Sequence, residues 1–489
     1  MSKQNKIRGW TRRRVLQGAT AAAAGVVIGG SSKLISSFAL PQYNPVPGSA
    51  NPPNCPGLPY GGTQFVPGSD TRPIVPRKPV SALSATEITE LQTAFNKLRA
   101  LPQGDPRTWY MQADIHALLC DSCNGVSMQI HNSWNFLPWH RAYLYFYERI
   151  LGSLAMNINT FRIPFWDWEN NRSIPLPYLA PTPGGLALYD TSRDPAMAAG
   201  GDLPPTDGSM ARIMNLMGIS DFPIFGGTST IGGSLEQDPH NVIHDDLGNP
   251  TNSYEDMGVL GYAARDPIFF AHHCNIDKIW WEWNTNFPPS PSGGYANPSD
   301  PAFLGAQWSF YDEHANVVSI TAQDVLNFPA NLRYTYPQGP QIPPLFDVII
   351  PCELVCCAPG PNPGPYLKVS QEASEQILTQ SRASRTVVLV LTGVEIPEGI
   401  VGTFNVMVVR GEHRTAIGTL TVLGNTLHDK TPKLANLVLD ITKAASDLFA
   451  KQNPASIRLS PRNPGRARAK PFLVRAQSAE IRMARQTGD

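Results

Sequence analysis

Two histidines nine residues apart, His131 and His140, lie in the run QIHNSWNFLPWHRAYLYFYERI (129–150), among Trp, Phe and Tyr residues that must be largely buried. A buried imidazole needs a partner for each ring nitrogen, and histidines clustered among aromatics find it most often in a transition metal. A better-spaced set follows downstream, where His240 and His244 form HxxxH and DPIFFAHHCNID occupies 266–277. Positions four apart share one helical face, so His240 and His244 can grip one ion together. His116 precedes the first pair and is its nearest candidate for a third ligand. Taken alone, a histidine there reads equally as a hydrogen-bonded core residue.

The chain that positions them has 489 residues, enough for two or three domains with a substantial core. Formal charge is zero, which excludes nucleic acid as an expected partner. Charged residues make up 16%, against 47 prolines and 40 glycines, a balance that predicts long irregular loops rather than an all-helical protein. TRRRVLQG at 11–18, an Ala/Gly-rich apolar stretch to Gly30 and a small-residue site at 37–39 read as a twin-arginine export signal over 1–39. The apolar run falls short of the ~20 residues of a membrane-spanning helix. The mature protein is therefore expected outside the cytoplasm, in the periplasm or beyond it, with no membrane association once the signal is removed. Folded passengers use this route, which suits a protein that takes up its metal before leaving.

Seven cysteines in an exported chain leave at least one unpaired if all bonds are internal. Cys120 and Cys123 form a single CxxC, which alone also fits a zinc knuckle or a redox pair, although no thioredoxin-like pattern surrounds it. A Cys55–Cys120 disulfide pinning the proline-rich arm (40–82) to the core is the simplest use of one, leaving Cys123 near His131. Ser84 and Glu87 make a capping box, and Ile88, Leu91, Phe95 and Leu98 share one helical face before Pro102. The next helical stretch carries His116. Beyond Pro337 a proline-rich connection includes APGPNPGPY (358–366). There the period changes: TVVLVLT, TFNVMVV, TAIGTLTVL and LANLVLDIT are short β-branched runs that predict an antiparallel sandwich. His314, His413 and His428 lack ligand spacing and are expected at the surface. The tail from Arg458, with eight basic residues against two acidic, is expected as a solvated face, and Cys352, Cys356 and Cys357 as holding a local disulfide.

IHNSWNFLPWHRAYLYFYERIL, IPFWDWEN and GYAARDPIFFAHHCNIDKIWWEW closely resemble tyrosinases and catechol oxidases, the polyphenol oxidases with coupled binuclear copper. Similarity continues through FYDEHANVV and LRYTYP, in a layout most like the plant enzymes. The resemblance implies a mainly α catalytic domain at 40–336, a helix bundle with long loops around a binuclear copper site. A proline-rich linker at 337–379 and an all-β sandwich at 380–489 would follow, the sandwich acting as a shield. It implies two copper ions, one on His116, His131 and His140 and one on His240, His244 and His273. The signature DPxF, followed after three residues by the ligand and then xxxD, selects His273 over His272, and adjacent helical residues point roughly 100° apart. It further implies a thioether between Cys123 and His131, with a plain thiol as the alternative. In plant members the first histidine is followed at once by the Cys pair, whereas here Ala117, Leu118 and Leu119 intervene. Glu236 and Asn241 match positions that hold a water able to take a phenol proton, or else Glu236 is a helix-start carboxylate. Leu260 matches a gate often filled by Phe, and Phe269, one turn before His273, packs under the metals or simply in the core.

Six neutral imidazoles without thiolate or carboxylate keep Cu(I) accessible and leave each copper three-coordinate, with room for dioxygen between them. Zinc also accepts imidazole, but the HxxxH here lacks the Glu of HExxH. The expected activity is oxidation of o-diphenols to o-quinones by O2, with monophenol hydroxylation beside it. Phenolic small molecules, O2 and a processing protease are the expected partners. A haemocyanin-like dioxygen carrier without turnover is the alternative from another class, and a metal-binding module without turnover the third.

Overall fold

Helix Phe136–Leu154 is buried over 16 of its 19 residues, and a helix apolar nearly all round must run through the middle of a core. Ile268–Asn286 and Ala85–Arg99 pack against it, with Trp109–Leu119 and Asn241–Leu247 completing the group that carries the histidines. The computed structural model describes residues 59–119, 130–179, 187–248, 256–286, 295–337, 344–356, 364–423, 433–449, 455–462 and 473–484, and only the backbone at 122–123 and 126–127. The stretch expected as an export signal, the arm before 59, Cys55, Cys120 and the Cys123 side chain lie outside the described residues.

The first helix forms as its cap predicts. Ser84 Oγ accepts from the Glu87 N–H while the Glu87 carboxylate accepts from the Ser84 N–H at 2.8 Å, and Leu91, Phe95 and Leu98 are buried. From 59 onward the arm is tied to distant segments by short parallel pairings, Thr63–Gln64 on Val318–Ser319 and Val75–Pro76 on Tyr334–Thr335. It also delivers Arg77 into the core, where a charge needs partners. Arg77 donates to Glu148 at 2.9 Å and to Asp277 at 3.3 Å. Asp277 further accepts from Arg141 at 2.6 Å and from the hydroxyls of Tyr334 and Tyr336 at 2.7 Å each. Asp277 stands one turn after His273, so this network sets the rotation of the Ile268–Asn286 helix.

The C-terminal part holds two antiparallel sheets. One has the strand order Lys433–Asp440, Val387–Ile396, Ser478–Met483, Val348–Val355, Tyr366–Lys368, and the other His413–Val422, Gly402–Arg410, Ser456–Pro461. Apolar residues of both, among them Leu389, Ile481, Phe404, Leu420 and Ile457, form one cluster. The four β-branched runs are all strands, as their composition predicts. Two expectations are corrected. First, 337–379 is not a bare linker: it contributes Val348–Val355, Tyr366–Lys368 and the helix Gln371–Arg382, so the C-terminal part begins before 380 and is not all β. Pro351 hides that strand in the sequence, and it is tolerated because the edge strand Tyr366–Lys368 pairs only with Glu353–Val355 and leaves Pro351 without a strand partner on that side. Second, the basic tail is not simply solvated. It supplies two strands, Arg462 pairs with Asp207, and the buried Arg482 donates to Asp221 at 2.6 Å. Cys352 is a free thiol, and Cys356 is in a disulfide whose partner lies outside the described residues, as does Cys357.

Removing the Asp277 carboxylate would leave the buried Arg141 guanidinium without its carboxylate partner and Arg77 with Glu148 alone. Asp277→Ala should cost about 3–5 kcal/mol of unfolding free energy, measured by denaturant titration of the metal-free protein.

Candidate metal centre

Three elements deliver the first trio. His116 comes from helix Trp109–Leu119, His131 from the turn before helix Phe136–Leu154, and His140 from that helix. Their ring centroids form a near-equilateral triangle of 5.3, 5.2 and 5.6 Å. The second group comprises His240 and His244, one turn apart at 4.5 Å, with His272 and His273 from helix Ile268–Asn286. The chain kinks at Asp238 (φ −157°, ψ 113°) just before His240, which turns the short helix so that both of its histidines face His273. In each group the offered ligand atoms lie within 4.8 Å of one another. The two groups abut: the His140 ring stacks on His273 at 4.2 Å and 9°.

A carbonyl oxygen only accepts hydrogen bonds, so the ring nitrogen facing one must carry the imidazole proton. His140 Nδ1 faces the Phe136 carbonyl at 2.7 Å, His244 Nδ1 that of Met257 at 2.8 Å, and His240 Nδ1 the Asn241 Oδ1 at 2.8 Å. Each Nε2 therefore turns a lone pair inward. Those of His240 and His244 both point at His273 Nε2, at 3.2 and 3.3 Å. One proton on His273 would satisfy one of them at most, so buried lone pairs converge with nothing to compensate them except a cation. His140 Nε2 is likewise buried without a hydrogen-bond partner among the described residues. Burial depresses every one of these imidazoles below the usual histidine range, His140 to about 3 and His244 to about 4, with neighbouring histidines adding to the effect on His116, His131, His240 and His273. They are neutral at pH 7, as metal ligands must be. The donor set fits two ions that prefer imidazole.

Phe269 touches rings of both groups, at 4.1 Å from His273 and 4.9 Å from His116. Phe136 does the same, at 4.7 Å from His140 and 4.6 Å from His240. No spacing rule singles out Phe136 in the sequence, although it stands one helical turn before His140. Glu236, buried, accepts the Asn132 N–H with both oxygens at 2.7 and 2.9 Å. Burial pushes its carboxyl up to about 8, with the Asn132 N–H and the Lys433 charge pulling the other way. Asn241 donates to the Thr421 carbonyl at 3.2 Å while its oxygen serves His240. Glu236, Asn241 and Leu260 line one cavity of about 10 Å³ whose other wall is C-terminal: Ile396, Thr421, Val422, Leu423 and Lys433. Leu260 and Leu423 are buried against each other. No local pattern in the sequence foretold Leu423, because the contact joins segments 163 residues apart.

Residues 106–195 and 205–286 match the common central domain of tyrosinase, and 297–343 the polyphenol oxidase middle domain. (+)-Larreatricin hydroxylase of Larrea tridentata is 33% identical over an alignment of 346 positions that covers 62% of this chain and 57% of that protein. The chain spans about half the length of the curated relatives it matches. Among solved structures, Grenache (Vitis vinifera) polyphenol oxidase is 30% identical with a TM-score of 0.51, covering 61% of this chain and 94% of that one. Latent apple tyrosinase is 25% identical with a TM-score of 0.61, covering 86% and 100%. Tyrosinases use a binuclear copper site, and the two histidine groups supply the ligand type and the proximity it requires. The chain belongs to the tyrosinase and polyphenol oxidase family.

Proposed function

We propose that this chain oxidises o-diphenols to o-quinones with dioxygen as electron acceptor, and that its own C-terminal unit keeps it closed until that unit is displaced. The observation that carries the reading is the pair of abutting imidazole groups whose lone pairs turn inward with no carboxylate among them. His116, His131 and His140 hold one copper and His240, His244 and His273 the other. Copper supplies the electron transfer to dioxygen. Two diphenols each give up two electrons and two protons, and one dioxygen becomes two waters. Phe136 and Phe269 wedge the rings of both groups so that neither can rotate away from its metal.

Hydroxylation of monophenols is part of the same reading. A phenol with pKa ~10 must lose its proton before it can bind as phenolate. An ordinary carboxylate near 4.3 accepts that proton against a gap of almost six units; one raised to about 8 faces a gap of about two. Glu236 is thus matched to the task, and Leu260 bounds the approach. The covering unit, read as a β-sandwich, blocks both. A cavity of roughly 150 Å³ is what admits benzene in a protein core, and about 10 Å³ remains between Leu260 and Leu423. Thr421 also takes the Asn241 amide, and Thr403 donates to Asp245 at 2.7 Å. A covalent tether keeps such a cover at high effective concentration without a strong interface. The stretch 358–366 joins two strands of the same sheet, so a cut that frees the cover must fall at 338–343 instead. Export by the twin-arginine route completes the reading, with a protease outside the cytoplasm making that cut.

His140→Ala and His244→Ala should each lower bound copper from two ions to about one and abolish catechol oxidation; full activity in either variant sinks the ligand assignment. Leu423→Ala should raise catechol turnover several-fold at unchanged copper content. If neither it nor cleavage at 338–343 yields turnover, the protein is a dioxygen carrier or a metal-binding module, and a peroxide-to-copper absorption band in the copper-loaded protein separates the two. Glu236→Gln should impair monophenol hydroxylation more than diphenol oxidation. Because the folded-state pKa of Glu236 is raised, its contribution to stability is fully present below about 4.5 and is lost as pH rises through about 8. In Glu236→Gln the melting temperature of the metal-free protein should therefore fall less between those pH values than in the parent, and parallel curves would mean that Glu236 titrates normally.

A further inference from the structure

The second group holds one histidine more than a three-coordinate copper takes. Burial does not separate the surplus, since His272 and His273 are both at most 1% exposed. Proximity does not either: the His272 ring lies 5.3 Å from His240 and 4.9 Å from His244, and His272 offers a nitrogen within 4.8 Å of the other ligand atoms. The difference lies at Nδ1. The indole N–H of Trp168, which can only donate, lies 3.1 Å from His272 Nδ1. Nδ1 must then be the unprotonated nitrogen, so the ring's one proton sits on Nε2. One nitrogen has its lone pair occupied and the other has none in the ring plane. His273 Nδ1 has no hydrogen-bond partner among the described residues, so nothing prevents its proton from resting there and its Nε2 from binding.

We infer that Trp168 is the positioning residue that chooses between the adjacent histidines, holding His272 in the tautomer that cannot bind copper and so leaving the second copper to His273. The inference rests on the ligand set proposed above. The indole is held firmly for this role. Trp168 is fully buried, and the Trp166 N–H donates to the Ala271 carbonyl at 2.9 Å, fastening this loop to the helix that carries both histidines. Gly208, at φ 58°, lies flat against the indole; a Cβ there would stand 2.7 Å from the ring. A fourth imidazole would close the position that a catalytic copper keeps open for its substrate. Trp168 therefore preserves reactivity without touching metal or phenol.

The test uses the full copper(I)-loaded chain. X-ray absorption at the copper K edge should give about three nitrogens per copper in the parent and about three and a half, averaged over both ions, in Trp168→Phe. Catechol turnover, read in the Leu423→Ala background that opens the site, should fall about tenfold on adding Trp168→Phe, and adding His272→Gln as well should restore both the count and the turnover. An unchanged count in a folded Trp168→Phe overturns the inference. Should that variant not fold, histidine ¹⁵N resonances of the parent decide: a proton on His272 Nε2 supports the inference, and one on Nδ1 overturns it. The ligand set fails separately, if His273→Gln keeps both coppers or the parent counts well above three.

Discussion

Three of the site's imidazoles, His140, His240 and His244, meet one requirement for holding a lone pair ready for a metal: the other ring nitrogen hands its proton to an acceptor. Here that requirement is met by oxygens the fold would contain anyway: the Phe136 carbonyl at the start of the central helix, the Met257 carbonyl of an irregular loop, and the amide of Asn241. The site is therefore as much a property of backbone placement as of histidine spacing. It also explains why so much buried charge surrounds it. Arg77, Arg141, Glu148 and Asp277 fix the mutual rotation of two long helices, and without that rotation the carbonyl-capped rings would not meet.

Which parts of this were legible in the chain follows from how local they are. The capping box at Ser84, the HxxxH pair and the four β-branched runs each depend on neighbours within a few positions, and each appears as expected. Strand Val348–Val355 was missed because Pro351 and its proline-rich surroundings imitate a linker, and nothing local reports the partner strand more than a hundred residues away. The histidines were legible as candidates, but the fixing of their tautomers was not. A hydrogen bond from Trp168 to His272 spans 104 residues, and so does that from Asn132 to Glu236.

Glu236 and its neighbours illustrate a tension general to buried active groups. Burial that lifts a carboxyl towards the range of a phenol also makes it costly to ionise, and here the compensation comes partly from outside the helical unit, through the Lys433 charge. The acid–base character of the site is thus shared between two parts of the chain. In the function proposed above, the C-terminal unit supplies charge as well as bulk, so its departure would alter the chemistry beneath it in addition to opening the path.

Strand Ser478–Met483 lies inside the five-stranded sheet, between Val387–Ile396 and Val348–Val355. A ribosome delivers it after every other strand of that sheet, while N-terminal units generally fold first. The helical unit can accordingly gather its histidines before that sheet, which gives Ile396 and Lys433 to the wall facing them, is whole. In the function proposed above, assembly order would thereby leave metal a path to the imidazoles until the C-terminal unit is in place.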